Sequence, residues 1–420
     1  MLLEYLLARY MGNYTTRLMP AAGAPASPVI IPREEDTATL PKMLYLHIPF
    51  CLELCPFCTF YRIPFDQSLA LRYFSALRKQ LKRFYDLGYR FTTVYFGGGT
   101  PTVLPDELVS VIGEIRSMWD IREISVETNP SDLTDSNVEM LKGSGVNRLS
   151  VGVQSFQDNL LESVNRIRKY GTSADIRDRL TEIRGVFDTL NVDLIYGLDG
   201  QTQDDVAADI EVIKSLGIDQ VTCYPLMKSG EKIGSYTSWK THAVWEKDTY
   251  HMIRSSLAPD YIPASAWCFS KRRGMIDEYI VEHSSYTGAG SGAFGLENDT
   301  MMINIFSVPA YVTAAEGGND TTVYRHKFKG SESIRYHLLM QLFRGYVNID
   351  ELSKIGSFVQ KISIRFAVLL LRLFGLLKIT PGKTITTKRG AYLSVMLMKQ
   401  FFEGVGDLRR TCVDTHGENP

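Results

Sequence analysis

The chain of 420 residues is short of charge imbalance, of paired cysteines and of long apolar runs. Its 46 lysines and arginines are matched by 47 aspartates and glutamates, so no global field recruits a polyanion, and nucleic acid is not an expected partner. The most apolar later stretch, Phe366 to Leu377, is about twelve residues long and is interrupted by Arg372, too short to span a bilayer. Met1 to Met11 is partly apolar but lacks the basic start, sustained apolar core and cleavage site of a secretory signal. Cys223, Cys268 and Cys412 are scattered singly and read as ordinary core or surface residues, which leaves no disulfide framework. A reducing, cytoplasmic setting is expected.

What the chain does have is three cysteines in eight residues. Cys51, Cys55 and Cys58 lie in the run Tyr45-Leu46-His47-Ile48-Pro49-Phe50-Cys51-Leu52-Glu53-Leu54-Cys55-Pro56-Phe57-Cys58. Three thiolates on one loop can hold three irons of a cubane cluster and leave the fourth iron open for chemistry. Two other readings of the same residues exist. His47 could complete a zinc site as a fourth ligand, or the thiols could simply be buried.

Beyond the loop, short β-branched or aromatic runs alternate with longer amphipathic ones. Met43 to His47, Thr93 to Phe96, Glu123 to Glu127, Arg148 to Val153, Leu190 to Tyr196 and Gln220 to Tyr224 read as strands. Gln67 to Leu87, Pro105 to Met118, Ser136 to Ser144 and Asp204 to Leu216 read as helices between them. This is the pattern of an α/β fold with a parallel sheet, and six βα units suit a partial (β/α)6 barrel of the TIM type. In such barrels reactive groups gather at the carboxyl ends of the strands. The cysteines, Gly97 to Gly99, Glu127, Gln154 and Asp193 would then share one rim.

The cysteine run, with Gly97-Gly98-Gly99-Thr100-Pro101 and Gly152-Val153-Gln154-Ser155-Phe156, resembles the radical S-adenosylmethionine (SAM) enzymes, and within them the oxygen-independent coproporphyrinogen III oxidase-like family. The resemblance implies that Cys51, Cys55 and Cys58 ligate a [4Fe-4S] cluster whose open iron chelates SAM, and that an electron from the cluster yields a 5'-deoxyadenosyl radical. It also assigns further residues. Gly98, Gly99 and Thr100 lie in the segment that contacts the amino group of SAM, and Arg166, in Asn165-Arg166, pairs with its carboxylate. Gln154 and Asp193 hydrogen-bond its ribose, while Glu127 and Tyr45 stand at the reacting centre and near SAM. Gly290, Gly292 and Ala293, in Tyr286-Thr287-Gly288-Ala289-Gly290-Ser291-Gly292-Ala293-Phe294, resemble the segment that closes the adenosyl site, and are candidates for a second SAM site. A glycine-rich turn would explain them equally.

The same resemblance divides the chain into an extension over 1–41 containing the Pro/Ala-rich stretch Pro20 to Pro32, a catalytic core over 42–320, a winged-helix-like unit over 321–410 and a tail over 411–420. A winged helix can bind DNA, but the neutral charge balance favours a substrate lid. The implied partners are a tetrapyrrole-type small molecule and a reduced flavodoxin or ferredoxin-type electron donor. The implied reaction is oxidative decarboxylation of propionate side chains. A radical SAM C-methylase or haem-degrading enzyme is one alternative, and a noncatalytic haem-binding or trafficking protein is another. Two departures bear on this choice. Asp277 to Tyr286 lacks the HNxxYW segment of the family's haem chaperones, and Phe60 stands where true oxidases carry a further cysteine. No axial pair is evident among the seven histidines.

Overall fold

The computed structural model describes residues 2–17, 42–228, 236–275, 283–329, 331–355, 358–381 and 383–415. Six parallel strands carry the core: β1 (Met43–Ile48), β2 (Thr93–Gly98), β3 (Glu123–Thr128), β4 (Arg148–Gln154), β5 (Thr189–Tyr196) and β6 (Gln220–Pro225). Each expected strand is present, extended by a residue or two. All six residues of β1 are buried, and β2 and β4 are buried over most of their length. This is what a sheet covered on both faces requires.

Helices alternate with the strands: α2 (Gln67–Asp86), α3 (Pro105–Met118), α4 (Asp135–Ser144) and α6 (Gln203–Leu216) stand where the sequence predicts them, α5 (Ser173–Glu182) is a helix beyond those expected, and α1 (Leu2–Arg17) precedes them all. On α2 one stripe, Ala70, Tyr73, Phe74, Leu77 and Leu81, is buried against the sheet. Capping boxes open α5, with Thr172 and Asp175, and α6, with Thr202 and Asp205. These reciprocal bonds satisfy first-turn N–H groups that would otherwise lack partners.

The sheet does not close. β7 (Ile262–Pro263), β8 (Cys268–Ser270) and β9 (Thr287–Ala289) extend it, giving the order β9-β1-β2-β3-β4-β5-β6-β8-β7 among the described residues. β9 runs parallel to β1, whereas β8 is antiparallel to both β6 and β7. The outcome is a partial barrel with β9 and β7 as free edges. A second, antiparallel sheet follows from β10 (Phe294–Glu297), β11 (Thr300–Asn304) and β12 (Thr322–Lys327).

Between these pieces run α7 (Tyr236–Leu257) and α8 (Val308–Glu316). The carboxyl-terminal unit then comprises α9 (Ser331–Phe343), β13 (Tyr346–Val347), α10 (Ile349–Ile355), α11 (Phe358–Leu373), β14 (Leu377–Thr380), β15 (Lys383–Thr386) and α12 (Lys388–Thr415). Its strands form a small antiparallel sheet in the order β13-β15-β14. Within the extension expected over 1–41, Pro20 to Pro32 lies outside the described residues, while α1, a helix not expected there, packs on α12, with Arg389 Nε bonded to Glu4 at 2.6 Å. No helix among the described residues is long and apolar enough to cross a membrane.

Candidate active site

The rim at the carboxyl ends of β1 to β5 encloses a cavity of about 260 Å³. Tyr45, all three clustered cysteines, Gly98, Gly99, Thr100, Glu127, Gln154, Arg166, Asp193 and Gly292 line it. Gly290 and Ala293 do not. Gly290 is locked behind the wall, its N–H donating to Gln80 Oε1 (2.9 Å) and its carbonyl accepting from Asn304 Nδ2 (3.0 Å), and Ala293 is buried. With φ at +96° and Tyr73 Oη only 2.4 Å from where a Cβ would sit, Gly290 serves a packed turn.

The cysteine loop leaves β1 through Phe50–Cys51, which pairs in parallel with Ile63–Pro64 and so returns the chain to its start. Arg62 staples the loop from inside, donating to the carbonyls of Cys58 (2.8 Å), Phe60 (3.2 Å) and Cys55. Cys51 Sγ lies 3.5 Å from Thr100 Oγ1, and Arg166 Nη1 donates to Cys55 Sγ at 3.4 Å. Burial pushes the Cys51 and Cys58 thiols up, so metal binding is what would ionise them.

His47 is not a ligand. Its Nε2 faces the Tyr61 carbonyl at 2.8 Å, which makes that nitrogen the N–H donor, and its Nδ1 then accepts from Tyr45 Oη at 2.9 Å. Burial holds the ring neutral, with its pKa lowered to about 3. Both nitrogens are therefore committed. Among the described residues no three His, Cys, Asp or Glu side chains converge as ligands of one ion, and the zinc site with His47 as its fourth donor is not formed. A cubane takes its thiolates at separate corners, and all three cysteines line the one cavity.

The glycine run owes its composition to close packing. A Cβ on Gly97 would meet the Glu127 carboxylate at 3.0 Å, one on Gly98 would meet the His47 ring at 2.9 Å, and one on Gly99 would meet the Phe50 carbonyl oxygen at 2.7 Å. Gly98, at φ +121°, donates its N–H to Glu127 Oε2 at 3.2 Å. Tyr95 donates to the other oxygen of Glu127 at 2.8 Å. Burial still dominates and raises the Glu127 pKa to about 7. Asp193, held by Ser150 (2.8 Å) and Asn191 (2.8 Å), is raised for the same reason. Arg148, buried beneath both, bonds Gln220 and Ser125 and opposes each shift.

Two irregularities aim the remaining side chains. β4 ends in a register shift between Gly152 and Gln154, and Gln154 takes φ +77°, an uncommon value for a residue with a Cβ. Asp209 on α6 pins the loop that follows, accepting from Ser155 Oγ (2.8 Å), Phe156 N–H (2.8 Å) and Gln157 Nε2 (3.0 Å). Asn165 takes φ +57° and delivers Arg166 inward. The exposed helical ion pair that Arg166 could have formed is absent, since the residue is 3% exposed. Its guanidinium bonds Asn129 Oδ1 (3.2 Å) and the Gly152 carbonyl (2.5 Å) and lies over the Tyr170 ring at 4.1 Å. Arg166 Nε is buried with no hydrogen-bond partner, a donor left over for an anionic ligand. Together with the three thiols, this donor set fits a cluster and a carboxylate-bearing cosubstrate.

Past the cysteines the cavity turns apolar. Phe57, Tyr224, Trp267, Phe328, Phe401 and Phe402 line it, with Arg409 of α12 at the border. Arg409 Nη1 donates to the Thr59 carbonyl at 3.1 Å, and the guanidinium lies over Phe60 (5.4 Å) and Phe294 (5.3 Å). Sequence reasoning passed over Arg62, Arg148, Asp209 and Arg409. Only Arg148 left a signal, as a cation opening an otherwise apolar strand.

Comparison with known proteins gives the family and the fold. Residues 45–213 match the Radical SAM superfamily. The heme chaperone HemW of Bacillus subtilis is 30% identical over 286 residues, which cover 64% of this chain and 75% of the relative. The oxygen-independent coproporphyrinogen III oxidase of Bradyrhizobium diazoefficiens is 36% identical over 181 residues, covering 41% of this chain and 39% of the relative. Among solved structures, coproporphyrinogen III oxidase (HemN) from Escherichia coli superposes with a TM-score of 0.69 at 21% identity, over 87% of this chain and 92% of that one. The fold is shared.

Proposed function

Because the chain belongs to the radical SAM superfamily and, within it, to the oxygen-independent coproporphyrinogen III oxidase-like family, we propose that it is an enzyme that opens SAM at the cysteine end of its cavity and acts on a tetrapyrrole-type substrate at the aromatic end. One observation carries this reading: the thiols, the spare Arg166 donor, Gln154 and Asp193 face a single cavity that continues into a chamber of aromatic rings. When bound, the cluster and SAM supply a 5'-deoxyadenosyl radical able to take a hydrogen atom from carbon.

The chain's own residues do the rest. Cys51, Cys55 and Cys58 would hold the cluster, and Arg166 would fix the carboxylate of SAM through a charge-assisted bond. Gln154 and Asp193 would orient its ribose. Glu127, poised near neutrality, can hold or release a proton beside the reacting carbon. The rings of Trp267, Phe401 and Phe402 exclude water and stack on a flat substrate, which protects a reactive centre from quenching. Arg62 and Arg409 are the cations nearest the chamber that could meet a propionate. Leu52 and Leu54, exposed on the cysteine loop, would meet a flavodoxin or ferredoxin-type donor.

A second reading is haem handling without turnover. It is favoured by the match to a heme chaperone over three-quarters of that protein's length and by Phe60, which replaces the further cysteine of true oxidases. The segment that would bear the chaperones' HNxxYW motif falls mostly outside the described residues. Anaerobic reconstitution followed by dithionite and SAM tests the first reading. Release of 5'-deoxyadenosine, with loss of carboxyl carbon from coproporphyrinogen III by mass analysis, is the expected result. A Soret band on haem addition without SAM consumption would establish the second reading. S-adenosylhomocysteine release would point to a methylase.

A further inference from the structure

α11 packs on its own unit through Ile364, Val368 and Leu371. The opposite side is unpartnered among the described residues. Val359, Ile362, Phe366, Leu369 and Leu373 are between 45% and 74% exposed. Their spacing, alternately three and four residues, places them on one stripe along the helix. Phe374 (49%) and Ile379 (61%) on β14 prolong it. Arg389 then joins this end to α1, bonding both the Phe374 carbonyl (2.9 Å) and Glu4, which brings the exposed Leu2 and Leu6 into the neighbourhood. A soluble surface rarely leaves so much contiguous apolar area open.

Charge along the segment that carries the stripe has one sign, although exposed Asp350 and Glu351 stand on α10 beside it. Between Glu351 and Glu403 the sequence contains no acidic residue and nine basic ones, Lys354, Lys361, Arg365, Arg372, Lys378, Lys383, Lys388, Arg389 and Lys399. Arg365, Arg372, Lys378 and Lys383 are exposed on α11 and the β14–β15 hairpin. The neutral total of the chain hides this local field. An apolar stripe on a segment whose own charges are all cations is the chemistry of a helix lying in the plane of a membrane interface, its apolar side among acyl chains and its cations at anionic headgroups.

We propose that α11 and the β14–β15 hairpin form a docking surface for an anionic lipid bilayer. The inference is independent of what the cavity binds. Duplex nucleic acid would suit the cations but not the stripe, since a helix in a groove presents polar groups to base edges. A second copy of the chain would bring the two basic fields face to face across a twofold axis.

The full-length protein should co-sediment with phosphatidylcholine vesicles containing phosphatidylglycerol and much less with phosphatidylcholine alone, and salt should weaken the association. Replacing Phe366→Asp and Leu373→Asp together should reduce vesicle binding about tenfold or more. The separate pair Lys378→Glu and Lys383→Glu, which leaves the helix intact, should do likewise while the melting temperature holds. The proposal is overturned if anionic vesicles do not retain the protein, or if neither pair of substitutions changes retention. It is also overturned if duplex DNA is preferred to vesicles, or if the protein dimerises in solution and the helix substitutions abolish that dimer.

Discussion

The two ends of the cavity are built by different means. At the strand-end half, residues from β1 to β5 interlock so tightly that three successive glycines have no room for a methyl group. At the aromatic half, the wall comes from Phe57 of the cysteine loop, Tyr224 of β6, Trp267 before β8, Phe328 after β12 and Phe401 and Phe402 of α12, segments far apart in the chain. One half tolerates almost no change of shape. The other can be retuned ring by ring, so chemistry and substrate choice are separable properties of this fold.

That separation can be challenged by substitution. The largest effect is expected from Cys55→Ala, which should abolish both iron loading and 5'-deoxyadenosine formation while leaving haem or porphyrin binding in place; cluster retention in this variant would contradict the ligand assignment. Next, Arg166→Met should weaken SAM binding roughly 10- to 100-fold, the worth of a charge-assisted bond, with iron content kept. Isothermal titration on the reconstituted protein reads it, and unchanged affinity would leave Arg166 as a loop staple only.

A pH experiment on the metal-free protein probes the rigid half next. Burial raises both Glu127 and Glu403 to about 7, above the ordinary carboxyl value. Below the ordinary value of 4.5 both states are protonated and stability is complete; as pH rises from there to about 7 the unfolded chain has released these protons while the folded chain still holds them, so stability falls, and above about 7 the loss is complete. Glu127→Gln should flatten part of the fall, by about 2 kcal/mol, in denaturation curves recorded under argon. A profile identical to the parent's would show that Glu127 titrates normally. The smallest effect is expected from Phe402→Ala, a roughly fivefold loss of tetrapyrrole affinity with SAM affinity unaltered. If SAM binding fell as well, the two halves would not be separable.

Much of the rigid half was legible because its signals are local. Cys51, Cys55 and Cys58 sit in one loop, Glu127 and Gln154 stand at or next to the ends of their strands, and Asp193 lies within one, each on a strand whose buried run declares itself. Arg166 is named through the family resemblance, but its inward turn, set by Asn165 at φ +57°, leaves no trace in the residue pattern. The glycines were legible as a motif but not in their cause, which is contact with Phe50, His47 and Glu127 across the sheet. The aromatic half was largely illegible. Arg409 reaches the cavity from a helix whose pattern says only that it is amphipathic, and α1 meets its partner through Glu4 and Arg389, 385 positions apart. Asp209 carries no signal that sets it apart from the other acids of α6, yet it anchors the loop behind Gln154. Contacts of that span leave no periodic trace.

In a closed barrel the number and tilt of the strands set the bore. Here β9 and β7 never meet, and α12 supplies part of the wall, so the width of the chamber depends on how one late helix is seated. Displacing α12 by a single turn would exchange which rings line the chamber and would break the Arg409 bond to the Thr59 carbonyl beside Cys58. The gap in the sheet thus works like the jaw of a vice, and accepting a broader or narrower molecule would require edits at that jaw alone.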